Sequence, residues 1–346
     1  MSLTIGHARD LAAELLAAAG LRREDADSTG RALVLADLWG VASHGLMRLP
    51  YYLERIQSGG YPPGARLTTV SDTGPAVALD GGGGLGHWQL WRASELATER
   101  CRQYGVAVVA IGDSGHCGAL GVYTLPPLAA GCVALVVSHG PAVMAPWGGT
   151  APVLSTSPLA AGIPCRPRPA IVDLAMSTVA RGKLAACARR GEPLPEGWGL
   201  DAAGQPTTDA EAALRGMLAP LGGAKGYALA LLVESLSGAL VGPRLSAEVT
   251  DMFAPEDAAI PQRIGHLIIV LDPARFDVQG GAGAAARFDD LARRVVDAGG
   301  RLPGARRLSP DAVDHDTPLH LDGGLEADLF DWAARLGVPA RPKEGR

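Results

Sequence analysis

Apolar residues near the start of the chain recur with the three-to-four spacing of amphipathic helices. Residues 4–20 (TIGHARDLAAELLAAAG) and 25–39 (DADSTGRALVLADLW) both show it, with Thr4 and Asp25 placed as N-caps. A third helical pattern runs from Ser43, again a capping residue type, to Gly59-Gly60. A Pro- and Gly-rich connection at 61–75 then gives way to short apolar runs punctuated by glycine: AVALD, VAVVAIG, CVALVVS, AIVDLA and, far downstream, HLIIVLD. Such runs predict buried strands alternating with helices. After Asp277 the texture returns to helix, loop and a polar tail. The chain divides by texture into a helical segment (1–75), an α/β body (76–275) and a helical return (276–346).

Composition narrows the function classes. At 346 residues the chain is long enough for a large core, and 47% hydrophobic with 19% charged residues is ordinary globular composition. A net charge of −5 without a long run of one sign makes nucleic acid and anionic membranes unnatural partners. No apolar run approaches the roughly 20 residues needed to cross a bilayer, and the first residues, MSLTIGHARD, lack the pattern of a signal peptide. Cys101, Cys117, Cys132, Cys165 and Cys187 are odd in number and lack CxxC spacing, which fits reduced thiols in the cytoplasm.

Between AVALD and VAVVAIG lies a glycine-rich stretch in which Gly81, Gly83 and Gly86 satisfy GxGxxG, with Asp113 following the next strand. In a dinucleotide fold this turn would set pyrophosphate on a helix N-terminus. Four consecutive glycines meet many patterns by accident, however, and bulky Trp88 stands where close strand packing would be needed. A structural glycine turn is the better reading.

The chemistry gathers elsewhere. In GVASHGLMRLPYYLERI (40–56), a continuous helix puts His44, Arg48, Tyr51, Tyr52 and Arg55 on one face and Leu46, Leu49, Leu53 and Ile56 on the other, with Pro50 as a possible bend. An imidazole can transfer a proton near neutral pH, and a guanidinium one turn away can hold a carboxylate through two hydrogen bonds. Together they make a minimal site for a 2-oxo acid, with Tyr52 beside it; the plain alternative is a solvated basic and aromatic face. Ser43 suits orienting His44 or capping better than nucleophilic catalysis. His116 sits at a strand exit, with Gly118 near a helix start where backbone N–H groups are available to an anion. Cys117 beside it has no second ligand at usable spacing, so no metal site is expected. Lys225 in GGAKG precedes a helix but lacks P-loop spacing.

Taken in order, SHGLMRLPYY, GHCGALG, APWGG, SPLA, VDLAMSTVARGK, PEGWGLDAAGQPTTD, PLGGAKGYALAL and RLPG resemble the malate/L-lactate/sulfolactate dehydrogenase family, over essentially the whole chain. The resemblance implies an α/β fold with a non-Rossmann NAD(P)-binding domain. Its mixed, largely antiparallel sheet is flanked by helices, the chain termini pack together as a helical domain on the substrate side, and the protein forms a homodimer. It implies that His44 transfers the proton with Ser43 beside it, that Arg48 lies in the substrate pocket, and that His116 is a second active-site histidine and a rival proton donor. Asp173 matches a relay aspartate. Asp173, Leu174, Ala175 and Met176, together with Lys225, Gly226, Gly304, Ala305 and Arg306, match cofactor contacts. Where the family has Thr-Asn-Pro this chain has Thr156-Ser157-Pro158, which puts in question one amide-mediated contact near the cofactor or substrate, Ser157 standing at the cofactor-contact position. His139 replaces a small or polar residue and is expected to touch substrate.

The expected activity is hydride transfer between NAD or NADP and C2 of a small 2-oxo/2-hydroxy acid, malate- or sulfolactate-like, with Arg306 favouring NADPH. The competing enzyme reading is a reductase of a cyclic 2-imino acid, piperideine- or pyrroline-2-carboxylate, which needs the same clamp and hydride geometry. A non-catalytic nucleotide-binding protein is the alternative of another class.

Overall fold

The protein was analysed as a computed structural model, which describes residues 3–251, 254–278, 280, 283–307 and 314–339. The tail from residue 340 and residues 308–313, both within the expected helical return, lie outside the described residues. Helix α1 (Ile5–Ala18) is capped as predicted, the Thr4 hydroxyl accepting the His7 N–H at 3.2 Å. Helix α2 (Arg23–Leu38) starts earlier than predicted, with Arg22 as N-cap. Asp25 lies in its first turn, where an acid suits the helix dipole, and its carboxylate takes the Arg22 guanidinium at 2.7 Å.

The third helical pattern is broken. Ala42–His44 and Leu46–Arg48 are separate 3-10 turns meeting at Gly45, and helix α3 (Leu49–Gln57) begins only afterwards, with Pro50 in its first turn, where its missing N–H costs nothing. The single polar face expected from helical spacing therefore does not exist. His44 and Arg48 keep a common direction, whereas Tyr52 and Arg55 are wholly buried.

Strand β1 (Thr68–Asp72) leads to β2 (Ala76–Gly84), α4 (Gly86–Tyr104) and β3 (Val106–Ser114). Helix α5 (Leu125–Ala129), β4 (Val133–Ser138), β5 (Leu159–Ile163), β6 (Ala170–Leu174) and α6 (Arg181–Arg190) follow. Next come β7 (Gly199–Leu200), β8 (Pro206–Thr207), α7 (Ala210–Arg215), β9 (Met217–Leu218) and α8 (Ala224–Glu234), which runs into a π-helical turn at Ser235–Ala239. The chain then forms β10 (Ile264–Leu271), α9 (Gly283–Asp297) and α10 (Gly323–Leu336). Among the described residues no helix is long and apolar enough to cross a membrane.

The main sheet has the order β1-β2-β3-β10-β4-β5-β6, and β7, β8 and β9 form a small second sheet. Every neighbouring pair in the main sheet is antiparallel except β2–β3. This is a mixed, largely antiparallel α/β fold rather than a doubly wound one, because β10 returns from far along the chain to insert between β3 and β4. Gly81 to Gly84 belong to β2 itself, with Gly82 and Gly83 at φ of 56° and 72° and the register against β3 shifting between Asp80 and Gly84. The glycine stretch is thus a strand irregularity ahead of α4, and Trp88 is buried in the core.

One apolar cluster joins α1, α2, α3 and α10 through Leu16, Leu33, Leu53 and Trp332. A second lies between the sheet and α4, around Val109, Ile111, Leu90 and Ile268. The chain ends approach each other where Thr4 bridges Pro318. Ile268, fully buried in the central strand, makes a direct test of this packing. Ile268→Ala should lower unfolding free energy by about 2–5 kcal/mol in urea titration; a loss below about 1 kcal/mol would show that β10 is not the core of the sheet.

Candidate active site

Three strand ends and the broken helical segment converge on a cavity of about 510 Å³. His116 and Gly118 enter from the loop after β3, Ser138 and His139 from the end of β4, and Asp173, Leu174 and Ala175 from the end of β6. Ser43, His44 and Arg48 close it from the two 3-10 turns. Glycines permit the crowding. A Cβ on Gly115 would stand 2.4 Å from the Tyr61 ring, and one on Gly118, whose φ is +68°, would stand 2.6 Å from Nε2 of His87.

His44 and His116 lie nearly parallel with ring centroids 5.8 Å apart. Ser43 Oγ is 2.9 Å from His44 Nδ1, and Arg48 Nε donates to the Ser43 carbonyl at 2.8 Å, which ties the clamp and the imidazole to one turn. On His116, the Gly118 N–H points at Nδ1 from 3.3 Å and the Tyr52 hydroxyl lies 2.7 Å from the same atom. A backbone N–H can only donate, so Nδ1 is an acceptor and the neutral ring carries its proton on Nε2. The His116 backbone N–H is in turn held by Gln262 Oε1 at 3.1 Å.

Burial pushes His44 down to about 4, and the positive charge of Arg48 acts in the same direction. Burial holds His116 well below the ordinary imidazole range, with His44, His87, Arg48 and His266 as further depressing neighbours. Both rings are therefore neutral near neutral pH. The Asp173 carboxyl is raised by burial and lowered in part by Arg307, whose guanidinium lies 3.5 Å away and stacks over the Trp39 ring.

The structure brings together Ser43, His44, Arg48, His116, Gly118, His139, Asp173, Leu174 and Ala175 at this cavity. The other expected site residues stand outside its lining. Tyr52 is fully buried behind His116 and supports the ring from behind. Ser157 sits between the lining residues Thr156 and Pro158 with a left-handed φ of 45°, its side chain turned toward Ser155. Met176 is buried, its N–H donating to the Thr156 carbonyl. Lys225 is exposed on the first turn of α8, and Gly226 is a packing glycine whose Cβ would meet the Leu221 carbonyl at 2.1 Å. Gly304, at φ +74°, likewise fits closely against Ile171, and the arginine that reaches the cavity is Arg307 rather than Arg306. His139 lines the cavity but is 4% exposed, its Nδ1 facing the Gly265 N–H at 3.4 Å.

Sequence reasoning missed Arg307, Arg181 and Lys183, all of which line the cavity. The last two begin α6 directly after VDLAMSTVA, and a basic pair opening a helix beside a site was the available signal.

Comparison with known proteins gives the chain's relatives. A family described as malate/L-lactate dehydrogenase matches residues 3–315. A (2R)-3-sulfolactate dehydrogenase (NADP(+)) of Chromohalobacter salexigens is 39% identical over 307 residues, 88% of this chain and 90% of that one. A Delta(1)-pyrroline-2-carboxylate/Delta(1)-piperideine-2-carboxylate reductase of Pseudomonas aeruginosa is 35% identical over 88% of this chain and 91% of that one. The sulfolactate dehydrogenase structure from Methanocaldococcus jannaschii superposes with a TM-score of 0.89 at 29% identity, covering 98% of each chain.

The buried histidines His87, His139 and His266 and the half-buried His44 and His116 of the cavity wall all have depressed values, with His87 and His266 down to about 3. A depressed imidazole costs nothing above its unfolded value of 6.5 and destabilises the fold as pH falls from there toward the folded value. Unfolding free energies of the native chain and His266→Gln, measured across this range, should converge as pH falls, by about 1.4 kcal/mol per pH unit. A constant difference would contradict a neutral, buried His266.

Proposed function

The chain belongs to the malate/L-lactate dehydrogenase family, and we propose that it reduces a 2-oxo acid with a second acidic group, of the oxaloacetate or sulfopyruvate kind, using NADPH. Hydride transfer between a nicotinamide cofactor and a small 2-oxo/2-hydroxy acid is the activity shared across its dehydrogenase relatives. The observation that carries the reading is the convergence of His44, His116 and Arg48 on one cavity. The relative named as NADP(+)-dependent supports the cofactor choice, as do Arg181 and Lys183, which set two cations and a helix N-terminus at the cavity and so fit phosphate groups. The nicotinamide, when bound, supplies the hydride, and Leu174 and Ala175 offer its ring a neutral wall beside Asp173.

The protein's own groups hold the acid and move the proton. Arg48 holds the carboxylate of the 2-oxo acid through its guanidinium, fixing C2 and its carbonyl oxygen beside the imidazoles. In reduction His44 takes up a proton from solution and, as the imidazolium, passes it to that oxygen; in oxidation the neutral ring takes it back as a base. It is preferred to His116 as the carrier because one residue links it to Arg48: Ser43 Oγ meets His44 Nδ1 at 2.9 Å and the Ser43 carbonyl accepts from Arg48 Nε at 2.8 Å. His116, fixed by Tyr52, donates a hydrogen bond from Nε2. His139 and Arg307 border the remaining space, where a second acidic group fits. The exposed leucines Leu229, Leu231 and Leu232 of α8, with Leu240 just past its π-helical extension, support pairing of two copies across that face. Five free, buried cysteines fit a reducing compartment such as the cytoplasm. The division into segments 1–75, 76–275 and 276–346 remains our reading of the domains.

The direct test follows reduced-nicotinamide absorbance against a panel of 2-oxo acids and cyclic imines. Oxaloacetate or sulfopyruvate should turn over with NADPH; turnover of the cyclic imines alone would move the protein to the reductase reading, and silence throughout would reject both. His44→Ala should lose about 10²–10⁴-fold in kcat, and a larger loss in His116→Ala than in His44→Ala would exchange their roles. In the oxidative direction the neutral form of His44 is the active one, so its depressed value preserves the base as pH falls. The kcat/KM for the 2-hydroxy acid should stay flat as pH falls through 6.5 and decline only toward about 4. A decline centred on 6.5 would contradict the buried, depressed imidazole.

A further inference from the structure

The two residues assigned to acid binding and proton transfer stand on either side of Gly45, where the chain changes from one 3-10 turn to the next. At this junction the His44, Gly45 and Arg48 N–H groups are taken by the carbonyls of Val41, Ala42 and Gly45. The Leu46 N–H instead points out of the segment and is accepted by Asp37 Oδ2 at 2.8 Å. Asp37 lies at the C-terminal end of α2, a different element, so its carboxylate acts as an external cap on the second turn. The fit is close. A Cβ on Gly45 would come within 2.2 Å of Asp37 Oδ1 and 2.4 Å of its carboxyl carbon, so the carboxylate occupies the place of a side chain at residue 45. Leu46 and Leu49 are fully buried on the far side of the turn.

We infer that Asp37 is a positioning residue for the reaction. Through Leu46 and Gly45 it fixes the junction that sets the spacing of His44 and Arg48, and with it the alignment of the substrate carboxylate and the proton it receives. This inference rests on the assignment of His44 and Arg48 given above. Asp37 does not line the cavity, which separates its role from binding. A carboxyl group taken from water without a charged partner is costly, and burial accordingly raises Asp37 to about 6, with the Leu46 N–H lowering it in part. Asp37 is half-buried and, among the described residues, its carboxylate pairs with no cation, so the Leu46 N–H is the contact that holds it in place.

The test compares Asp37→Ala, Asp37→Asn and Gly45→Ala. In Asp37→Asn the amide oxygen still accepts the Leu46 N–H, and kcat/KM for the 2-oxo acid should stay within about threefold of the native value. Asp37→Ala and Gly45→Ala should each lose at least about tenfold in kcat/KM, while the NADPH Kd, read by fluorescence well below the melting temperature, stays within about twofold. Ring signals of His44 in histidine-labelled protein should move in Asp37→Ala and hold in Asp37→Asn, a readout that needs no turnover. If the native enzyme proves inactive on every acid while these signals behave as stated, the functional reading fails and the positioning stands. Unchanged His44 signals and unchanged kcat/KM in folded Asp37→Ala would overturn the positioning role, as would an equal loss in Asp37→Asn.

Discussion

In the middle of the sheet, the His266 ring ties together two of the three strand ends that build the cavity. Its Nδ1 meets Ser138 Oγ at 2.8 Å at the end of β4, and its Nε2 meets Ser114 Oγ and the Gly115 carbonyl, both at 3.1 Å, at the end of β3. Ser114 continues inward by donating to Gln89 on α4 at 2.6 Å. The ring is fully buried, so each of these bonds is formed in a low-dielectric interior where an unsatisfied group would be costly. Because β10 lies between β3 and β4, one residue spans the strands that deliver His116 and His139. The rigidity of the cavity wall follows from a strand that the chain supplies more than a hundred residues after the loops it supports.

The same burial explains the electrostatics. Histidines packed among aromatic rings and glycines lose hydration, and each depresses its neighbours when charged. With both imidazoles neutral, the positive charge of the cavity wall comes from arginine and lysine side chains, in a protein whose overall charge is −5. The cations at the cavity, Arg48, Arg181, Lys183 and Arg307, are local to it, and two of them face carboxylates, Arg181 with Asp251 and Arg307 with Asp173.

Much of this was legible in the chain. Strong periodicity gave α1 and α2, and unbroken apolar runs gave β2, β3, β4, β6 and β10. The short β1 escaped because all five of its residues are exposed, and β5 because its sequence, LAAGI, is too short and too small to announce itself. The motifs that resemble the family located His44, Arg48, His116 and Asp173. Helical spacing misplaced Tyr52 because it assumed a continuous helix through Gly45, whereas a carboxylate from another element interrupts it. Lys225 and Arg306, given by the resemblance as cofactor contacts, stand outside the cavity lining, and the path of the backbone brings Arg307 and the start of α6 to it instead.

The proposed delivery of a hydride to C2 of an acid held by Arg48 leaves an isotopic mark on the product. NADPH carrying deuterium at the transferred C4 position, incubated with the enzyme and oxaloacetate or sulfopyruvate, should yield a 2-hydroxy acid with the label at C2 in a single enantiomer, read by NMR. Label in solvent, label divided between enantiomers, or consumption of NADPH without a labelled 2-hydroxy acid would contradict it.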